Sequence, residues 1–260
     1  INGYSNFERK ITYFLEKLLI KSADVVFTVS ASIASEYKRI YDIEKPLLIL
    51  NAPAYKEIKK DKKANNLFRQ KFNISDDQKI FISQGGLSVG RGIETMLVAF
   101  DHLNDEYKKR NEPSPVIVFM GYGTLEPLIL KYVNRCDNIF FQPAVKIHEV
   151  IDYTKNADYG LLFIENTCLS YYYCMPNKIF EYRMAEIPVV VSNLKEVKSF
   201  VNKKQVGEVA EFNDVYGLIA ALKKMLMQEK DIYYQNIIAV KKEYNWESQE
   251  KKMIEAYHNL

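Results

Sequence analysis

Apolar residues along this chain fall into short unbroken runs, and between them lie stretches in which apolar positions recur every three to four residues. The runs are VVF within ADVVFTVS (23–30), PLLIL (46–50), KIFISQ (79–84), PVIVFMG (115–121), NIFFQ (138–142), YGLLFIE (159–165) and IPVVVS (187–192). Runs of this length without in-and-out alternation predict strands buried on both faces of a parallel sheet. The periodic stretches at 7–20, 93–103, 125–132, around Phe180, and a further one beginning near His148 predict the covering helices. Ser30 or Ser32 can cap a helix running through Tyr37, and Thr124 can cap the helix at 125–132. Strand and helix alternate from residue 79 to residue 192. The predicted fold class is therefore α/β, a Rossmann-like doubly wound parallel sheet whose ligand site lies at the carboxyl ends of its strands.

Two segments depart from this rhythm. Residues 51–66, NAPAYKEIKKDKKANN, are polar and lysine-rich without an apolar period, which marks a linker and a domain boundary near residue 55. Residues 1–55 then read as the end of a partial second α/β domain and a hinge, and residues 56–240 as the main domain. The tail from 214 onward carries helical signal only. Its last part, 241–260, places Trp246, Met253 and Tyr257 near one face of a charged helix, a stripe that predicts packing against a neighbouring domain.

Composition narrows the function by exclusion. The 260 residues are 48% hydrophobic and 27% charged, ordinary for a globular protein, and the formal charge of +3 is too small to suggest nucleic-acid binding. Residues 1–71 hold 14 Lys plus Arg against 8 Asp plus Glu, an excess of +6 that leaves −3 for the remainder. Solvated surface explains that asymmetry, as would a peripheral contact with a membrane. Cys136, Cys168 and Cys174 show no C-x-x-C spacing, and their odd number fits a reducing, cytoplasmic setting better than a disulfide framework. No run approaches the roughly 20 apolar residues that span a bilayer. The chain begins with Ile1 on elements resembling the end of a domain, so an upstream part is expected.

Three loops hold the candidate chemistry. Gly85, Gly86, Gly90 and Gly92 follow a strand and precede a helix, with Arg91 among them. Glycines let a backbone approach a ligand closely, and a guanidinium can pair bidentately with phosphate; the same glycines would also serve a plain turn. Gly121, Tyr122 and Gly123 again follow a strand, where free N–H groups can meet an anion. Residues 175–193, MPNKIFEYRMAEIPVVVSN, open a helix with Asn177, Lys178 and Glu181 in its first turns. A helix amino terminus favours negative charge, a lysine there can neutralise a diphosphate, and a carboxylate can accept two hydrogen bonds from a sugar diol. Asn177 could instead be only the cap and Glu181 a surface acid. The loop ENTCLSYYYC (165–174) stands where a sugar ring would need walls. His102, His148 and His258 lack metal-ligand companions, and no Ser-His-Asp or Cys-His arrangement can be assembled from the sequence.

Taken together, residues 23–257 resemble the carboxyl-terminal half of retaining, nucleotide-sugar-dependent glycosyltransferases of the GT-B fold, the family 4-like group 1 enzymes. ADVVFTVS and ILNAP resemble the end of that family's amino-terminal domain and its hinge. GGLSVGRGIETMLVAF resembles the first donor-domain loop and helix, and MPNKIFEYRMAEIPVVVSN the family's most recognisable motif. The resemblance implies that Glu181 binds ribose and that Arg91 stands where a diphosphate-binding lysine is common. Two positions differ from the usual pattern: Gly86 replaces an arginine, and Tyr173 falls where the first glutamate of an E-x7-E pair would stand. A subset with P-N-K-x-F-E-Y resembles this chain more closely, and there the 166–175 loop and Lys178 would meet the donor sugar.

The implied activity is transfer of a hexosyl unit from a UDP- or GDP-sugar to an acceptor hydroxyl with retention, in cell-envelope or exopolysaccharide synthesis, on a saccharide or lipid-linked saccharide. Arg91, Lys178 and Glu181 would be the catalytic set, and Gly85, Gly86, Gly121, Tyr122, Gly123 and Asn177 would complete the donor site. No cofactor and no metal is expected. The implied location is the cytoplasm, with the inner face of the membrane left open, and the last helix is expected to cross back to the first domain. Without the upstream region the chain is expected to bind donor yet turn over poorly. Two other functions stay open: a GT-B nucleotide-sugar epimerase, and a nucleotide-sugar-binding module without chemistry.

Overall fold

The carboxyl ends of six parallel strands form the working edge of this protein. The computed structural model describes residues 6–58, 66–228 and 231–260. Strands β3 (Ile80–Gly86), β4 (Val116–Tyr122), β5 (Ile139–Pro143), β6 (Tyr159–Leu162), β7 (Val189–Ser192) and β8 (Gly207–Ala210) pair in the order β5-β4-β3-β6-β7-β8, every pair parallel. The chain winds outward from β3 in one direction, then returns to its other side and winds outward again. That reversal leaves a crevice between the carboxyl ends of β3 and β6, the usual ligand position in such sheets. A separate parallel pair, β1 (Phe27–Thr28) and β2 (Leu47–Leu48), precedes the sheet.

Burial explains the unbroken apolar runs. Ile80, Phe81 and Ile82 of β3 and Val116 through Phe119 of β4 are fully buried because helices cover both faces of the sheet. The helices are α1 (Asn6–Leu19), α2 (Ala31–Tyr41), α3 (Leu67–Phe72), α4 (Ile93–Arg110), α5 (Glu126–Val133), α6 (Val150–Thr154), α7 (Leu169–Tyr172), α8 (Asn177–Met184), α9 (Lys195–Lys204), α10 (Val215–Met227), α11 (Asp231–Glu243) and α12 (Trp246–His258). In α4 the buried side chains Ile93, Met96, Leu97, Phe100 and Leu103 recur at three- and four-residue steps, the stripe a helix needs to seat on a sheet. Among the described residues no helix is long and apolar enough to cross a membrane.

Several elements differ from expectation. β8 escapes a search for apolar runs because it is an edge strand: of GEVA only Ala210 is buried. Helix α9 is similarly masked, burying Val197, Phe200 and Val201 beneath a surface of lysines. Ser30 caps α2 by accepting from the Ile33 N–H at 3.3 Å, whereas Leu125, not Thr124, occupies the cap position of α5. Of the expected linker, residues 51–58 carry neither helix nor strand, and 59–65 lie outside the described residues.

Helix α12 lies against residues 50–55, after β2. Trp246 N–H donates to the Pro53 carbonyl at 2.9 Å, Gln249 Oε1 accepts from Leu50 N–H at 3.0 Å, and Glu247 accepts from Tyr55 N–H at 2.9 Å. The expected aromatic stripe is not what buries it. Gln249 is fully buried, while Tyr257 stays 59% exposed with its ring 6.0 Å from that of Phe27. Backbone hydrogen bonding, a pattern that apolar periodicity does not register, fixes this helix to the segment between β2 and α3.

Candidate functional site

A cavity of about 510 Å³ opens at the carboxyl ends of β3 and β4, walled by the start of α8, by α7 and by the segment after β5. Arg91, Lys178 and Glu181 line it together, as do Gly85, Gly86, Gly121, Tyr122 and Asn177. Of the nine residues expected to form the catalytic set and donor site, Gly123 alone does not line it, and Gly90 and Gly92 of the first glycine loop stand outside it as well. A Cβ on Gly123 would sit 2.2 Å from the Leu87 carbonyl oxygen, and one on Gly121 would sit 1.9 Å from that of Gly85. These two glycines are required because the first glycine loop presses on the second: Leu87 N–H donates to Tyr122 O at 2.8 Å, and Leu125 N–H to Leu87 O at 2.9 Å. Their missing side chains thus let β3 and β4 stay paired to the cavity floor.

Helix α8 supplies the charged groups. Pro176 holds the cap position in extended conformation and offers no side-chain acceptor, so the first-turn N–H groups are not capped by a side chain. Asn177 is therefore the first helical residue and not the cap. Lys178 and Glu181, three apart, fall on the same face and point into the cavity. The Lys178 stem lies against Gly85, where a Cβ would come within 2.6 Å of its Cε. Burial lowers the Lys178 ammonium to about 8, helped by nearby Arg91 and opposed by Glu181. The Glu181 carboxyl is raised by burial, against the opposing pull of a Gln84 hydrogen bond and of Lys178. Arg91 is held over the Tyr171 ring at 4.9 Å, and among the described residues it makes no ion pair. The cavity thus holds two cations, Arg91 and Lys178, against one carboxylate, Glu181, a balance that an anion would favour.

One side of the wall is apolar. Val145, Ile147 and Val150 come from the β5 to α6 segment, and Ile147 is 93% exposed at the rim. The site thus joins an apolar wall, a carboxylate and two cations. Among the described residues no group of three or more His, Cys, Asp or Glu could hold a metal ion.

A scan against protein-family models matches residues 64–244 to the glycosyl transferases group 1 model. The chain belongs to that family. Its matched span in this group 1 chain takes in every residue of the cavity and leaves out α1 to β2 and α12. Solved structures agree on the fold. Sucrose-phosphate synthase of Thermosynechococcus elongatus aligns with a TM-score of 0.73 at 17% identity, over 100% of this chain and 64% of its own. HepE of Anabaena, solved with UDP and glucose, aligns with a TM-score of 0.78 at 12% identity, over 99% of this chain and 68% of its own. WaaG, a glycosyltransferase involved in lipopolysaccharide biosynthesis, gives 0.69 at 15%, over 96% and 68%. The group 1 chain therefore spans about two thirds of the length of these proteins, and at such identities the likeness speaks for the GT-B fold alone. No curated protein matches significantly in sequence.

Two residues of the group 1 site were not assigned a role from sequence. Gln84 donates from Nε2 to Glu181 Oε2 at 2.7 Å, and Thr154 Oγ lies 2.6 Å from Gln84 Oε1. They come from β3 and α6, 97 and 70 positions away from their partners. Gln84 ends an apolar run, and a polar residue at the end of a buried strand was the one available signal.

Proposed function

We propose that the cavity binds a nucleoside-diphosphate sugar, UDP- or GDP-linked, and that the chain provides the donor half of a retaining hexosyltransferase. The observation that carries this reading is the convergence of Arg91, Lys178 and Glu181 at the uncapped amino end of α8. Lys178, Arg91 and the helix terminus would take the diphosphate, Glu181 the ribose hydroxyls, and the apolar segment after β5 the base. As the glycosidic bond to the diphosphate breaks, negative charge grows on the leaving oxygens. Groups already fixed and desolvated around that charge lower the barrier, because they need no reorganisation at the moment of reaction. The leaving phosphate can take the acceptor proton, with the acceptor hydroxyl entering on the face the diphosphate leaves, which retains the configuration.

HepE, described with UDP and glucose, and TarM of S. aureus, described with UDP and alpha-GlcNAc-glycerol, support a nucleotide-sugar donor and a saccharide acceptor by analogy of fold. A role in envelope or exopolysaccharide synthesis at the inner face of the membrane belongs to the same reading, supported by the basic excess of residues 1–71. The test is calorimetric titration with UDP, GDP and their glucose, N-acetylglucosamine and mannose conjugates. Micromolar binding of one nucleotide, weakened at least tenfold by Glu181→Ala, is expected. No binding of any of them by a folded sample, or binding untouched by Glu181→Ala, would refute the assignment.

A further inference from the structure

The cavity contains a buried hydrogen-bonded chain whose polarity is fixed by chemistry. An ionised carboxylate only accepts, so the Gln84 amide must turn its NH2 toward Glu181. That leaves the amide oxygen toward Thr154, and since an amide oxygen also only accepts, the Thr154 hydroxyl must be the donor. The chain is almost sealed from water, with Gln84 3% and Thr154 0% exposed. Thr154 Oγ also lies 2.6 Å from the Val150 carbonyl, one helical turn back, so its single proton is shared between that carbonyl and the amide oxygen. Gln84 is further anchored through its backbone N–H, which faces the Tyr182 hydroxyl at 3.4 Å. Glu181 thereby has Oε2 committed to Gln84 while its side chain lines the cavity. Three elements distant in sequence, β3, α6 and α8, meet at this point.

We propose that Thr154 and Gln84 are positioning residues that lock the Glu181 carboxylate in one orientation and so set the preference of the site for a ribose diol. The proposal rests on the nucleotide-sugar reading above and adds to it a source of sugar specificity. A carboxylate free to rotate would accept from water or from a single hydroxyl equally well. One held by a charge-assisted hydrogen bond presents its remaining lone pairs in a fixed plane, and a ligand lacking one hydroxyl leaves part of that desolvated acceptor unpaired. Without the Thr154 hydroxyl the Gln84 oxygen loses a partner that holds the amide in place behind Glu181. The amide then swings while keeping its NH2 toward the carboxylate, and Glu181 gains the same freedom.

The experiment compares dissociation constants of UDP and GDP with those of their 2′-deoxy counterparts, and of inorganic pyrophosphate, for the unaltered chain, Thr154→Val, Thr154→Ser and Glu181→Ala. The unaltered chain should prefer the ribonucleotide by roughly tenfold. Thr154→Val should bring that ratio close to one with pyrophosphate binding unchanged, and Thr154→Ser, which keeps the hydroxyl, should restore it. A role confined to folding would move the melting temperature and leave the ratio alone. If Thr154→Val retains the ratio while Glu181→Ala abolishes it, the positioning role is overturned and the site reading stands. If Glu181→Ala also retains the ratio, the site reading itself falls. Should Thr154→Val fail to melt cooperatively, Gln84→Met removes the amide that donates to Glu181 and is held to the same two outcomes.

Discussion

Replacing Lys178 by Met tests the electrostatics of the cavity most directly, because two properties should move in opposite directions. Met keeps an unbranched chain of similar volume against Gly85 and removes the charge. Burial and Arg91, opposed by Glu181, bring the ammonium from its ordinary 10.5 down to about 8. At ~1.36 kcal/mol per pH unit, that difference is at most about 3 kcal/mol spent on holding the charge. Because the folded value lies below the unfolded one, the unfolded chain binds more protons between pH 8 and 10.5. The stability of the ligand-free protein therefore rises with pH across that window. Lys178→Met should abolish this rise and raise the melting temperature at pH 7. A bound diphosphate restores the ammonium, so affinity in the variant should fall by up to roughly a hundredfold. At pH 8 the unaltered protein should also take up about half a proton per UDP or GDP bound. Titrations in buffers of different ionisation enthalpy measure that uptake. No proton uptake at pH 8, or a variant that binds the nucleotide as tightly as the parent, would refute the reasoning.

Two further outcomes test the scaffold around the site. Gly121→Ala should cost roughly 2 kcal/mol or more, since its Cβ would fall 1.9 Å from the Gly85 carbonyl oxygen and push the glycine loops apart; a melting temperature within a degree of the parent would show that the loops are not pressed together. Gln249→Met should leave the Leu50 N–H without its acceptor at a loss of about 1–3 kcal/mol, and should speed proteolytic cutting between β2 and α3. Unchanged cutting would mean that α12 does not fix that segment.

The α/β architecture was legible because parallel strands buried on two faces must be continuously apolar, and β3, β4, β6 and β7 are. Helices carrying a full apolar stripe, such as α4, were legible for the same reason. β8 and α9 were not, because an edge strand and a half-solvated helix satisfy little of their energy by burial and so leave a weak pattern. Motif residues showed which chemistry was available: glycines after strands, Arg91, and the Asn177, Lys178, Glu181 cluster at a helix start.

Spacing along the chain determined that Lys178 and Glu181 share one face of α8, since helical geometry alone requires it. Only the tertiary structure brought Arg91 to the same cavity and turned Gly121 and Gly123 into packing glycines. It alone placed Gln84 and Thr154 behind Glu181. Side-chain chemistry and local periodicity are properties of neighbours in sequence, whereas desolvation and hydrogen-bond partnership depend on which distant segments the sheet order sets side by side. The same lysine is one candidate cation among several in the sequence and, once packed against Gly85 of β3 beside Arg91, a buried charge opposed only in part by Glu181.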